Sequence, residues 1–425
     1  MKILYLCPDP GIPVLGRKGA SVHVRELIGA FARAGHRVTL AAQTLTKFAA
    51  DEPAKVRARV IQIQSDPAGT GAAQAFKEFN ERLGLQNSLP GEVRRIVYNE
   101  AFYQNLKRRF LRHRPGFIYE RASLYATAGV RLAQKFKVPH LVELNAPLAV
   151  EQSAYRATGF GELAAHAERW TLTHADAVIV VSAELRKHVL ALGVKPAKVY
   201  VMPNGVNPEL FYPENGRARH SVRAAHSQIK DGAHGVTRLI LGFVGGLRPW
   251  HGVEVLPELL ARLSQRRPAV RLVIAGDGQL RSDLEGEFKR RGLARNVVFT
   301  GALPHDEMPA VIRQFDIALA PYPKHDHDFY FSPLKLFEYM ACGVPVVAAN
   351  VGQISEVVSD GRSGLVYPPG NLNKLVARCE KLLADSELRD AIGSAAARLV
   401  RRKFTWANNA ERVVKLARQL IARNK

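Results

Sequence analysis

The segments Ile3-Leu-Tyr-Leu6, Ser21-Val-His-Val-Arg-Glu-Leu-Ile-Gly-Ala-Phe-Ala-Arg33 and Arg37-Val-Thr-Leu-Ala-Ala42 read in turn as strand, helix and strand. Val24, Leu27, Ile28 and Phe31 fall on one side of the central segment, and Gly35 ends it. A strand, a crossover helix and a second strand imply a parallel sheet covered by helices. Working outward, further buried strands are expected at 116–119, 140–144, 177–181 and 198–202, the last followed by the turn Pro203-Asn204-Gly205. Residues 214–238 are polar, rich in His and Arg, and lack strand alternation. The alternation then restarts: strands at 239–244, 271–275, 296–300 and 316–320, with helices at 253–266, in the basic segment that follows 275, and from His305.

The expected class is therefore α/β, with two Rossmann-like doubly wound domains facing across a cleft. Their bounds are read as 1–207 and 239–405, joined by a linker at 208–238. A last helix over about 406–425, with Val413, Val414, Leu416 and Leu420 as its apolar positions, is expected to pack back on the first domain. A length of 425 residues is consistent with two cores.

No stretch approaches the roughly 20 apolar residues that span a bilayer. The apolar start at 3–6 is cut short by Cys7-Pro8-Asp9-Pro10, which reads as a first strand, not a signal peptide. Cys7, Cys342 and Cys379 are few, far apart and without zinc-ligand spacing, so a reducing, cytoplasmic setting is expected. The formal net charge of +23 calls for an anionic partner. Between residues 94 and 114 lie Arg94, Arg95, Lys107, Arg108, Arg109, Arg112 and Arg114, while Phe102, Leu106 and Phe110 recur at four-residue spacing. This is a basic amphipathic helix, either packed with its basic face in solvent or drawn to an anionic membrane surface. Zinc-finger spacing, RNP-like aromatics and a basic-zipper pattern are all missing from the sequence, so nucleic acid is not an expected partner.

The chemistry-bearing stretch is 329–348, Phe-Tyr-Phe-Ser-Pro-Leu-Lys-Leu-Phe-Glu-Tyr-Met-Ala-Cys-Gly-Val-Pro-Val-Val-Ala. Ser332 and Pro333 can open a helix whose first-turn N–H groups, through Leu334, face an anion. Lys335 adds a full positive charge, and Glu338 can accept hydrogen bonds from sugar or ribose hydroxyls. Gly343 ends the helix before a buried strand. The loop Gly245-Gly246-Leu247-Arg248-Pro249-Trp250-His251-Gly252 follows a strand and suits a diphosphate, and Gly276-Asp277-Gly278 is a similar strand-end turn. In the first half, the loop from Gly11 to Gly19 carries Arg17 and Lys18 ahead of a helix. Glu120, Arg121 and Glu151 lie near strand ends and are candidate acceptor contacts, with surface ion pairs as the alternative. His and Asp alternate over 325–328 in a pattern able to ligate a divalent ion, or to be a charged loop.

Over nearly its whole length the sequence resembles the retaining glycosyltransferases with two Rossmann-like domains, family four of the GT-B fold. The resemblance rests on the Gly19 loop with Gly35-His36-Arg37-Val38, on Ala175-Asp176-Ala177-Val178-Ile179-Val180-Val181-Ser182, and on Pro203-Asn204-Gly205-Val206-Asn207. The Gly245 loop, Gly276-Asp277-Gly278 and the segment 336–348 complete it. It implies transfer of a sugar from a UDP- or GDP-sugar to an acceptor hydroxyl with retention and without a metal or other cofactor. The product would belong to glycan, glycolipid or cell-surface polysaccharide synthesis. The acceptor would be a glycan or a lipid-linked sugar met on the cytoplasmic side of the membrane. Lys335, Arg248 and the helix amides would balance the departing diphosphate, and Glu338 matches the ribose-binding glutamate.

The sequence departs from the family pattern in three respects. Tyr330 stands where a first glutamate is usual, with Asp328 a nearby substitute; Gly246 and His251 replace an arginine and a lysine; Asn145 replaces a histidine near the anomeric centre. An amide holds a sugar hydroxyl but is no general base at neutral pH. The alternatives are a nucleotide-sugar epimerase on the same fold, which needs acid–base groups where Asn145 lies, and a basic nucleic-acid-binding protein.

Overall fold

The computed structural model describes residues 1–46, 54–155, 159–214, 239–324 and 329–423. Two units separate, one made of Met1–Pro203 and Trp406–Lys425, the other of Asn204–Thr405. In the first unit the strands are β1 (Lys2–Cys7), β2 (Arg37–Ala42), β3 (Arg59–Gln62), β4 (Phe117–Arg121), β5 (His140–Leu144), β6 (Ala177–Val180) and β7 (Val199–Val201). They form one parallel sheet in the order β3-β2-β1-β4-β5-β6-β7. Its helices are α1 (Gly19–Arg33), α2 (Pro67–Arg82), α3 (Leu89–Phe110), α4 (Ala128–Phe136), α5 (Leu148–Tyr155), α6 (Gly161–His174) and α7 (Ala183–Ala191).

The two faces of this sheet each bury a glutamate against a histidine. On the face carrying Tyr5, Tyr119 and Glu143, His23 of α1 brings Nε2 to 2.7 Å from Glu143 Oε1, and Tyr119 donates its hydroxyl to Glu143 Oε2 at 2.9 Å. Burial acts to raise the Glu143 pKa, yet His23, Arg121 and Tyr119 together hold it down at about 2. On the opposite face Glu120 Oε2 meets His140 Nε2 at 2.7 Å, both side chains being buried. Helix α4 lies over this pair through Gly129, where a Cβ would stand 1.9 Å from Glu120 Oε2.

The second unit repeats the pattern. Its strands are β8 (Ile240–Val244), β9 (Arg271–Ala275), β10 (Val297–Gly301), β11 (Ile317–Ala320), β12 (Val346–Ala349) and β13 (Leu365–Tyr367), parallel and ordered β10-β9-β8-β11-β12-β13. Its helices are α8 (Leu256–Arg266), α9 (Arg281–Arg290), α10 (Met308–Ile312), α11 (Leu334–Ala341), α12 (Ile354–Val357), α13 (Leu372–Ala384) and α14 (Ser386–Lys403). Phe243, Ile274, Leu319 and Phe337 are fully buried in one contiguous core. The chain ends in α15 (Trp406–Arg423), which belongs to the first unit; Trp406 packs on the His23 ring at 4.7 Å, and Asn409 donates to the Pro203 carbonyl at 2.8 Å. In each sheet the strand order reverses beside the first strand, between β1 and β4 and between β8 and β11, and ligands of open α/β sheets bind at such points.

Two boundaries differ from the expectation. Asn204–Asn207, read with the first domain, and 208–214, read as linker, belong to the second unit. The turn is an anchor there: the Asn204 N–H donates to Ser332 Oγ at 2.9 Å, and Arg313 donates to the carbonyls of Tyr212 and Leu210. The helix expected at 253–266 starts as two short 3-10 turns, Pro249–His251 and Val253–Val255, before α8 begins. No helix among the described residues is long and apolar enough to cross a membrane.

Gly129→Ala should lower stability by about 1–3 kcal/mol through the clash with Glu120. In an unobstructed helix the same change would stabilise by up to roughly 1 kcal/mol, so a denaturant midpoint equal to or above wild type would contradict the packing described.

Candidate functional site

In the second unit the strand-order reversal is lined from β8 and β11. Phe243 comes from β8, Gly245 follows it, and Tyr322 lies just past the end of β11. Into this place α11 sends Lys335, buried, with Nζ 4.1 Å from the centroid of the Phe243 ring and 5.6 Å from that of Tyr322. A Cβ on Gly245 would stand 2.7 Å from Nζ, and Gly245 has φ +136°, so the ammonium rests against bare backbone. Nζ has no hydrogen-bond partner among the described residues. Aromatic faces soften the loss of water around the charge but replace none of its hydrogen bonds. Burial therefore draws the Lys335 pKa from the ordinary lysine range down to about 7, with Glu338 pulling the other way.

Glu338, one turn along α11, does not close a pair with Lys335. Its Oε1 meets Nε2 of His305 at 2.8 Å, and the His305 ring packs on Phe211 at 5.2 Å. The lysine thus keeps its donors, while the carboxylate is oriented and retains a second oxygen for a hydroxyl.

The glycine loops fit together backbone to backbone. A Cβ on Gly276 would lie 2.0 Å from the Gly245 carbonyl oxygen, and Gly276 has φ +149°. The Gly245 N–H donates to the Ala275 carbonyl, and that of Leu247 to the Asp277 carbonyl. Gly276 shapes this loop pair. His251 donates from Nδ1 to the Gly246 carbonyl at 2.5 Å, and burial, assisted by Lys335 and Arg248, lowers its pKa to about 3. A neutral ring with its proton on Nδ1 presents only a lone pair at Nε2 and offers nothing to a phosphate oxygen. His251, expected as a donor-binding residue, is thus a brace for the loop. Arg248 is exposed, donates from Nη1 to Gln279 at 2.7 Å and lies 5.7 Å from the Trp250 ring.

The helix start differs in detail from expectation. Pro333 occupies the N-cap position with extended backbone, Leu334 is the first helical residue, and no side chain caps the first turn. Ser332 is spent on Asn204: its Oγ accepts from the Asn204 N–H, and its carbonyl accepts from Asn204 Nδ2 at 2.5 Å. Tyr330 is buried beside Phe331, with ring centroids 4.5 Å apart. Asp328 and the His325–Asp328 alternation lie outside the described residues. Among the described residues there is no group of three His, Cys, Asp or Glu side chains able to hold a metal ion.

In the first unit, Asn145 follows β5 and leaves Nδ2 buried without a hydrogen-bond partner. The next helix, α5, is held in place by Glu168, which accepts from the N–H groups of Leu148 and Ala149. Arg121 at the end of β4 is about nine-tenths buried, with Nη1 unpartnered. Glu120 is neither a surface ion pair nor accessible to an acceptor, because it is the buried partner of His140. Arg17 and Gly19 are exposed at the start of α1, and Glu151 is half-buried in the first turn of α5. Sequence reasoning missed His305, Asn204, Phe243 and Tyr322. Asn204 reads as part of a turn and of a motif shared with the family, His305 as a helix start, and Phe243 and Tyr322 carry no site signal.

Replacing His305 by Ala removes the one side-chain hydrogen bond that the Glu338 carboxylate makes among the described residues. The variant should lose about 1.5–3 kcal/mol of stability at neutral pH, measured by denaturant unfolding. An unchanged midpoint would mean that this contact does not hold the carboxylate.

Residues 17–210 match the model of glycosyltransferase family 4, and residues 226–399 match that of glycosyl transferases group 1. An uncharacterised glycosyltransferase of Methanocaldococcus jannaschii is 29% identical over 272 residues, covering 61% of this chain and 65% of that relative, just under two thirds of its length. The glycogen synthase of Mycobacterium tuberculosis is 25% identical over 414 residues, covering 96% of this chain and 92% of that relative. Among solved structures, sucrose-phosphate synthase from Thermosynechococcus elongatus superposes with a TM-score of 0.74 at 22% identity, covering 99% of both chains, which is a likeness of fold. The paired family models and the two parallel sheets agree, and the chain belongs to the family 4, group 1 glycosyltransferases of the GT-B fold.

Proposed function

We propose that this protein moves a sugar from a nucleoside diphosphate sugar, UDP- or GDP-linked, to an acceptor hydroxyl with retention of configuration and without a metal. The observation that carries the reading is the buried, unpartnered ammonium of Lys335 at the strand-order reversal of the second unit. As the glycosidic bond breaks, negative charge grows on the departing diphosphate, and the Lys335 amine, protonated as that anion binds in a water-poor site, stabilises the growing charge more than it stabilises the ground state. The first turn of α11, whose N–H groups no side chain caps, adds donors on the same side. Glu338, oriented by His305, takes the ribose hydroxyls. Arg248 reaches the diphosphate only by leaving Gln279. The acceptor is assigned to the first unit, where the Asn145 amide positions a hydroxyl without removing its proton.

The acceptor class that fits the charge of the chain is a glycan or lipid-linked sugar at the cytoplasmic face of an anionic membrane. Support comes from the exposed cations Arg108, Arg109 and Arg112 at the end of α3 and just past it.

In transfer assays with UDP- and GDP-sugars, Lys335→Ala should lower turnover by about 10²–10³, the scale for loss of one charge-stabilising donor. Glu338→Gln should act chiefly on donor affinity. Activity should survive EDTA. Wild-type rates in both variants would remove α11 from the site, and loss of activity in EDTA restored by a divalent ion would overturn the metal-free reading.

A further inference from the structure

Four of the nine large apolar side chains that are more than a third exposed among the described residues fall within ten positions. They are Phe76 at 39%, Phe79 at 60%, Leu83 at 56% and Leu85 at 51%. Spacings of three and four place Phe76, Phe79 and Leu83 along one stripe at the end of α2, and Leu85 continues it into the turn before α3. The stripe is left outside because α2 seats itself through small or polar residues: its buried positions are Gly69, Ala73 and Asn80. A Cβ on Gly69 would stand 2.8 Å from Val97 Cγ1, so α2 and α3 approach closely at the start of α2. Asn80 and Asn87 exchange side-chain hydrogen bonds at 2.7 and 3.2 Å, which fastens the tip of the hairpin.

Within the stripe Lys77 and Arg82 balance Glu78 and Glu81, and it is the charge of the whole hairpin that selects the occupant. From residue 67 to 110 the hairpin holds seven Lys and Arg against four Glu. Glu92 is buried among Ser88, Tyr125 and the N–H groups of Gly159 and Phe160, Glu100 is taken by Arg131, Glu81 pairs with Lys77, and Glu78 is exposed and accepts from Gln74. Arg82 and Arg94 remain exposed near the tip, with Arg108 and Arg109 at the far end of α3. Large apolar side chains beside a surplus of cations match the boundary of an anionic bilayer, where the first meet acyl chains and the second meet headgroups.

We infer that the α2–α3 hairpin inserts Phe79, Leu83 and Leu85 into the outer acyl region of an anionic lipid surface, so that the protein is held by burial as well as by charge. The inference rests on the membrane-presented acceptor proposed above, and its test uses neither donor nor acceptor, so failure of the transfer reading leaves the result intact.

The test is flotation of the full chain with vesicles of phosphatidylcholine alone and of phosphatidylcholine mixed equally with phosphatidylglycerol. It is paired with fluorescence of Phe79→Trp, read against wild type, in vesicles carrying brominated acyl chains. The expected result is binding to the anionic vesicles only, with the added tryptophan quenched by the bromines. Combined Phe79→Ser, Leu83→Ser and Leu85→Ser should weaken binding by about tenfold or more with an unchanged circular dichroism spectrum. Binding without quenching would leave surface attraction and overturn insertion. A dimer in solution that the triple variant abolishes would assign the stripe to a second copy of the chain and overturn the proposal as well.

Discussion

The second unit is arranged around the loss of water from one ammonium group. A lysine buried without a hydrogen-bond acceptor is costly, and its neighbours keep it so. Gly245 removes the side chain that would fill the space, Phe243 and Tyr322 supply ring faces that attract the charge but accept no hydrogen bond, and His305 draws away the nearest carboxylate. Gly276 lets the β8 and β9 loops touch, which fixes Gly245 in a backbone conformation that other residues rarely adopt. An anionic ligand restores what burial has removed, and such a site is poised to bind charge that develops during a reaction.

The first unit handles buried charge in the opposite way. Its two glutamates are closed off by histidines, Glu143 with His23 and Tyr119, and Glu120 with His140. Such pairs contribute little net stability compared with apolar substitutes, but removing one partner is expensive. They are therefore best understood as fixing how α1 and α4 lie on the sheet. Asn145 Nδ2, beyond β5, and Arg121 Nη1, at the end of β4, are among the buried groups of this unit that keep hydrogen-bonding capacity in reserve.

Much of the fold was legible in the sequence because apolar runs of four to six residues alternate with helical periodicity in both halves. The strands at Arg37–Ala42, His140–Leu144 and Arg271–Ala275 have the expected bounds. What escaped was local or tertiary in origin. β3 (Arg59–Gln62) is a short edge strand carrying two polar residues, and α2 shows a weak apolar pattern because its inner face is glycine and alanine. At the site, Lys335 and Glu338 could be singled out from their spacing on one helix. The state of each could not, since it depends on Phe243, Tyr322 and His305, which lie about 13 to 92 positions away in sequence and meet through the order of strands. The same limit explains Glu120 and His251. A glutamate at a strand end and a histidine in a glycine loop resemble ligand contacts until their partners, His140 and the Gly246 carbonyl, are known.

The central claim is that Lys335 is a largely neutral amine in the free protein and an ammonium when a diphosphate is bound. Isothermal titration with whichever of UDP-glucose and GDP-mannose binds, at about pH 8 in buffers of different ionisation enthalpy, measures the protons exchanged. With a free-protein pKa of about 7 that an anion raises, binding must take up protons, approaching ~1 per site. Lys335→Met should abolish the uptake. Binding with no uptake, or uptake that persists in Lys335→Met, would contradict the account.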